Sequence, residues 1–299
     1  MGSFLVSSKH WLMQRLLATL LLCGLWHAPL LLANDAANLR DKYQSLTQQL
    51  AHNQFERPLY LDSVESASSL KGDIYAVVDY PYATVNASLN DPKLGPANWC
   101  DVLFLHLNTK SCRVASGSNG SILNLDVGKK VSQYLPDVYH LQFNYHVVAS
   151  GSEYFQVDLN ADNGPLGTKD YRIELEAVAI SGKRTFIHLT YAYSYGMAGR
   201  LAMGSYLATL GRGKVGFTSI DGQSPPQYIG GVRGLVERNT MRYYLAIDAY
   251  LGALSTTPEK RLQQRLTGWF DATEQYPRQL HEMERQDYMQ MKIQASQPE

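Results

Sequence analysis

Four groups of residues in this 299-residue chain have types and spacings that could do chemistry. Glu174 and Glu176 have the separation of a carboxylate pair, the arrangement of an acid and base in hydrolysis. They alternate with Tyr171, Ile173 and Leu175, however, and so fall with Arg172 on the outer side of a strand, as a solvated salt-bridging face. The stretch Gly-Arg-Gly-Lys-Val-Gly at 211–216 has the glycine spacing of a dinucleotide loop. A small-residue helix precedes it where a strand is required, so it reads as a flexible loop whose Arg212 and Lys214 could attract an anionic head group. His140 and His146 share a strand face but lie roughly 20 Å apart at strand rise, too far for one tetrahedral metal. His106 and His188 stand alone in the sequence, and no Gly-x-Ser-x-Gly elbow occurs, so neither a metal nor a catalytic residue is assigned. The fourth group is Tyr191, Tyr193 and Tyr195, spaced by two on one strand face with Ile187 and Leu189. A phenol offers a ring to an apolar ligand and a hydroxyl to a polar one, so the row is either a cavity wall or a core with hydroxyls at its rim. Thr190 and Ser194 then point outward, and lysine at either should do little.

The elements that must hold these residues follow from periodicity. Leu39, Tyr43, Leu46, Leu50 and Phe55 recur at helical spacing over 38–55. "LYLDSVES" and "GDIYAVVDYP" read as strands, "YATVNASLNDP" as a short helix, and "NWCDVLFLHLNTKSC" as a strand with turns around it. From Val138 to Tyr195 four alternating runs separated by "SGS", "ADNGPLGT" and "SG" predict an antiparallel meander. In each run one alternating set is the more apolar, and that set faces a core or cavity. A small-residue helix follows from Met197. In "GVRGLVERNTMRYYLAIDAYLGAL", Val236, Tyr243, Ile247, Tyr250, Leu251 and Leu254 share one arc while Glu237, Arg238, Arg242 and Asp248 lie away from its centre. Two more polar helices, broken near Pro277, end the chain.

This order, with "LYLDSVES" leading into "GDIYAVVDYPYATVNASLND" and Trp99, resembles the START-like (SRPBCC) superfamily. The resemblance implies an α+β helix-grip fold over about residues 57–255: a curved antiparallel sheet wrapped around a long C-terminal helix. It also implies a lipid or other apolar small molecule held between sheet and helix. On that reading Ile187, Leu189, Tyr191, Tyr193 and Tyr195 line the ligand from the sheet, and Tyr243, Ile247 and the polar Thr240 from the helix. Thr240 has the alternative of bonding its own backbone four residues back. The extension over 256–299 and the segment 197–210 depart from the family pattern. No cofactor is expected, and binding is favoured over catalysis. A cyclase or aromatase using the same cavity, with tyrosine as acid, and a non-catalytic envelope interaction protein are the alternatives.

Residues 1–33 read as an export signal, because Lys9 and Arg15 precede a short apolar run that ends near Pro29 and Ala33. Cleavage after Ala33 would leave a helix over 34–56, the START-like domain and the extension, in the periplasm or outside the cell. The mature chain would carry 25 basic and 27 acidic residues, a balance that does not favour nucleic acid. Partners are therefore the apolar ligand and, transiently, a membrane or envelope protein. Cys100 and Cys112 are the only cysteines after the leader, and in an oxidising compartment such a pair is most simply a disulfide, the alternative being two buried thiols.

Overall fold

The computed structural model describes residues 28–118, 120–129, 138–209, 211–220 and 226–297. The expected leader lies for the most part outside them. Helix α1 (Ala28–Ser45) and the short α2 (Thr47–Ala51) lead into β1 (Leu59–Glu65) and β2 (Ser69–Val78). Helices α3 (Tyr82–Leu89) and α4 (Gly95–Phe104) follow, then six strands: β3 (Thr109–Gly117), β4 (Gly120–Val127), β5 (Tyr139–Ser150), β6 (Tyr154–Asn163), β7 (Thr168–Ser181) and β8 (Arg184–Tyr195). Helix α5 (Met197–Ala208) and a two-residue ribbon, β9 (Ser219–Ile220) with β10 (Gln227–Tyr228), precede the long α6 (Gly231–Gly252). Helices α7 (Pro258–Glu274), α8 (Pro277–Leu280) and α9 (Arg285–Ala295) complete it.

The eight main strands form one antiparallel sheet in the order β1-β2-β8-β7-β6-β5-β4-β3. β2 pairs with β8, so the first hairpin is joined to the far end of the meander, and Gly72 stands opposite Tyr191. Register shifts between Val147 and Ala149, Lys169 and Arg172, and Ala179 and Ser181 place irregularities where a sheet bends. The alternation holds as expected: Leu141, Phe143 and Tyr145 are buried while Gln142, Asn144 and His146 are exposed. The inward set packs with α6 in the main core, which is the helix-grip arrangement. On the outer face Ala36, Leu39, Leu46 and Leu50 of α1, α2 and their junction pack against Val77, Tyr154, Val178 and Phe186.

One expected strand is a helix. Residues 95–104 form α4, with Pro96 in its first turn and Trp99, Val102 and Leu103 buried at helical spacing. The apolar run that suggested a strand is short, and a short run is equally a buried helix face. Trp99 donates its indole N–H to Leu89 O at 3.0 Å, and Tyr145 of the sheet donates to the same carbonyl at 3.1 Å, so α3 and α4 are tied across that end. Cys100 and Cys112 are bonded, with Cα atoms 5.2 Å apart, and join α4 to β3.

Candidate functional site

β8 carries the tyrosine row into the interior. Tyr191, Tyr193 and Tyr195 are 5%, 4% and 5% exposed, and Ile187 and Leu189 beside them are fully buried. β7 adds Tyr171, whose ring stacks on that of Tyr193 with centroids 5.1 Å apart. From α6, Tyr243 meets Tyr191 at 5.1 Å and stacks on His106 at 5.2 Å. Burial, and then neighbouring phenols, push Tyr191 and Tyr193 well above the ordinary range, and burial does the same to Tyr243. These hydroxyls stay protonated, as hydrogen-bond donors rather than bases.

The other expected residues divide. Ile247 is buried in the same core. Tyr195 closes the rim, its hydroxyl donating to Ser66 O at 3.2 Å. Thr240 donates to Val236 O at 2.8 Å, so its hydroxyl proton is committed to the helix backbone, and the residue packs over Gly72. His106 was assigned no role in sequence, but the end of α4 brings it against Tyr243. Nothing in its spacing signals this, since the two are far apart along the chain.

Two polar networks lie outside the grip. On the outer face His188 does not stand alone. Its Nε2 lies 2.9 Å from Asp73 Oδ1 and its Nδ1 2.8 Å from Glu176 Oε2. Tyr154 donates to Glu176 at 2.6 Å, and Thr190 to Asp73 at 2.7 Å. Burial pulls the imidazole down, but its hydrogen bonds to Asp73 and Glu176 outweigh burial and leave it above its usual value. Glu174 keeps the expected ion pair with Arg172 at 3.1 Å; Glu176 does not belong to a solvated face, being hydrogen-bonded to the His188 imidazole. Thr190, expected outward, is 1% exposed.

On the far side of α6, Glu237, Arg238 and Arg242 are almost wholly buried, although the wheel sets them away from the apolar arc. The arc packs on the sheet, while the 211–218 loop and the C-terminal extension cover the back. Glu237 accepts from Ser63 Oγ, both Phe217 N and Thr218 N, and Thr218 Oγ1. Arg242 pairs with Glu282 at 2.8 Å, as does Lys214 at 3.1 Å, so Lys214 is not a free anion trap. Arg238 donates Nη1 to Val215 O at 3.2 Å, and its Nε and Nη2, with Arg242 Nε, have no hydrogen-bond partner.

The described residues hold no group of three or more potential metal ligands, and none of their helices is long and apolar enough to cross a membrane. Surface depressions among the described residues include two of note. One, about 490 Å³, is lined by Lys71, Asp162, Arg172 and Ser194 and touched by Tyr171 and Tyr193. The other, about 640 Å³, lies beside β1, between Phe55, Tyr60, Phe217 and Tyr228.

No family model matches the sequence, and no curated protein matches it. Solved structures similar to it include norcoclaurine synthase from Thalictrum flavum, at 13% identity over 49% of this chain and 85% of that one, with a TM-score of 0.33. The Zhui aromatase/cyclase from Streptomyces sp. R1128 is 15% identical over 68% and 96%, at 0.36. A START superfamily protein from Mycobacterium smegmatis is 15% identical over 49% and 93%, at 0.30. The helix-grip fold of this chain stands on its own sheet order and long helix, and likenesses this distant extend to no ligand or reaction.

Proposed function

We propose that this protein is an exported START-like carrier that holds a lipid or other apolar small molecule between its sheet and α6 without converting it. The observation that carries the reading is Tyr243. Its ring faces the sheet from the middle of a deeply packed helix, with Tyr191 on one side and His106 on another, yet it keeps accessible surface, as does Asn239 one turn before. Such surface on an inward ring supports space beside it, and the neutral phenols around it suit a ligand with an apolar body. The exposed Leu166, Met197 and Leu201 gather where the 165–167 turn meets α5, an apolar tip that supports brief contact with a membrane.

Protein purified from its native envelope should begin at residue 34 and release an apolar compound into organic solvent, identified by mass spectrometry. Tyr193→Glu, folded by its thermal melt, should release far less, because an unpaired carboxylate there loses its hydration. Repeatedly empty extracts from the native source would remove the carrier reading.

A further inference from the structure

The back of α6 holds a charge arrangement that the helix-grip fold does not need. Arg238 is fully buried. A guanidinium presents its N–H groups in a planar fork, and the Nε and Nη2 groups form the edge that takes two oxygens of one carboxylate or phosphate side-on. That edge of Arg238 is the unpartnered one, because its only hydrogen bond to described backbone uses Nη1. Arg242, one turn on, leaves its Nε unpartnered too. Lys214, Arg238 and Arg242 share the charges of Glu237 and Glu282, neither of which makes a direct ion pair with Arg238. Glu282 serves Arg242 and Lys214, and Glu237 turns its oxygens to Ser63, Phe217 and Thr218. A buried guanidinium with an open fork is costly to keep unless an anion meets it. The site adjoins the tyrosine row: the phenol of Tyr193 lies in the field of Arg238, Tyr206 is a side-chain hydrogen-bond partner of its guanidinium, and Tyr193 reaches Met203 of α5 at 3.7 Å.

We propose that Arg238, with Arg242 Nε, receives the oxoanion of an amphiphilic ligand, a carboxylate or phosphate monoester, whose apolar body lies toward Tyr193 and Tyr171. The proposal rests on the carrier reading and narrows its ligand to an acid.

The test is calorimetric titration of the full mature chain with dodecanoate, dodecyl phosphate, dodecanol and inorganic phosphate. The two charged amphiphiles should bind at least about tenfold tighter than dodecanol of equal chain length, the worth of one charge-assisted bidentate contact. Arg238→Met, shown to be folded by its thermal melt, should abolish that preference and keep dodecanol binding, because it removes the fork and leaves an apolar chain in its place. Equal affinity of the wild type for charged and neutral ligands, with dodecanol still bound, overturns the oxoanion site and leaves the carrier. Failure of dodecanol to bind, with the acids bound, overturns the carrier reading and supports the anion site. Inorganic phosphate binding as tightly as dodecyl phosphate would overturn the amphiphile. If Arg238→Met does not fold, Arg238→Lys decides, because it keeps the charge and loses the fork; an undiminished preference there sinks the assignment.

Discussion

His188 lies between Asp73 and Glu176 on three adjacent strands, and this fixes how the outer face answers to pH. Burial raises both carboxylates, but hydrogen bonds from His188, joined by Thr190 and Lys71 at Asp73 and by Tyr154 at Glu176, leave them below their ordinary 3.8 and 4.5. A lowered carboxylate contributes stability above its unfolded pKa and loses it as pH falls through the folded value. His188 is raised above 6.5, so its contribution is full below that value and lost as pH rises through the folded pKa. The network is therefore strongest in the window between the ordinary carboxylate and imidazole values and fades on both sides. His188→Gln should cost about 3 kcal/mol in that window, because the buried Asp73 and the half-buried Glu176 lose their cation. It should also flatten the alkaline limb of the curve. Urea unfolding across a pH series reads both, and an unchanged alkaline limb would defeat the account. Thr190→Lys, which alternation alone marks as harmless, should destabilise as well, since Thr190 is buried against Asp73. Period two assigns a residue to the outer face of a sheet; it does not say whether a helix covers that face. Nor does it pair His188 with a carboxylate 115 residues away.

Helix α6 lies on β2 at the one place where β2 has no side chain. A Cβ at Gly72 would fall inside the van der Waals contact of Thr240 Oγ1 and 3.2 Å from Thr240 Cβ. Gly72→Ala should lift the helix and cost about 1–3 kcal/mol by overpacking, and Thr240→Ala should recover part of that loss in the double variant. Thermal melts of the four proteins test it; purely additive losses would mean that the two residues do not share this contact. The legible elements were those whose burial is decided locally. β5 to β8 follow from alternation and short turns, and α6 from its arc, whereas α4 was misread because its apolar run is too short to choose a period. Arg238 escaped for another reason. A helical wheel finds the face that meets the first layer and cannot see a second layer, and here that layer comes from 211–218 and from beyond Pro258.

At the scale of the whole molecule the C-terminal extension behaves as part of the core. Leu266, Trp269, Phe270, Tyr276, Leu280, Tyr288 and Met291 are all under 10% exposed and belong to the cluster that includes the sheet's inner face. Its polar groups are spent on the rest of the chain: Trp269 Nε1 donates to Arg242 O at 3.0 Å, Tyr276 to Phe55 O at 2.7 Å, and Tyr288 to Leu105 O at 2.9 Å. Lys292 is fully buried, and its Nζ donates to Phe104 O, His106 O and Thr109 O at 2.5, 2.7 and 2.7 Å. Burial, followed by the charge of Lys110, depresses this amine, but three carbonyls between the end of α4 and the start of β3 hold it in place. Removing it leaves those acceptors unsatisfied, so Lys292→Met should cost roughly 2–4 kcal/mol in unfolding free energy. Deleting residues 258–299 should do much more. Each large apolar side chain lost forfeits roughly 1.5–3 kcal/mol of burial, and Arg242 would be left without Glu282. Domains are stable by only about 5–15 kcal/mol, so the truncated chain should lack a cooperative melt by calorimetry and near-ultraviolet circular dichroism. A truncated protein that melts within a few degrees of the parent would restore the extension to the role of a detachable partner-binding tail.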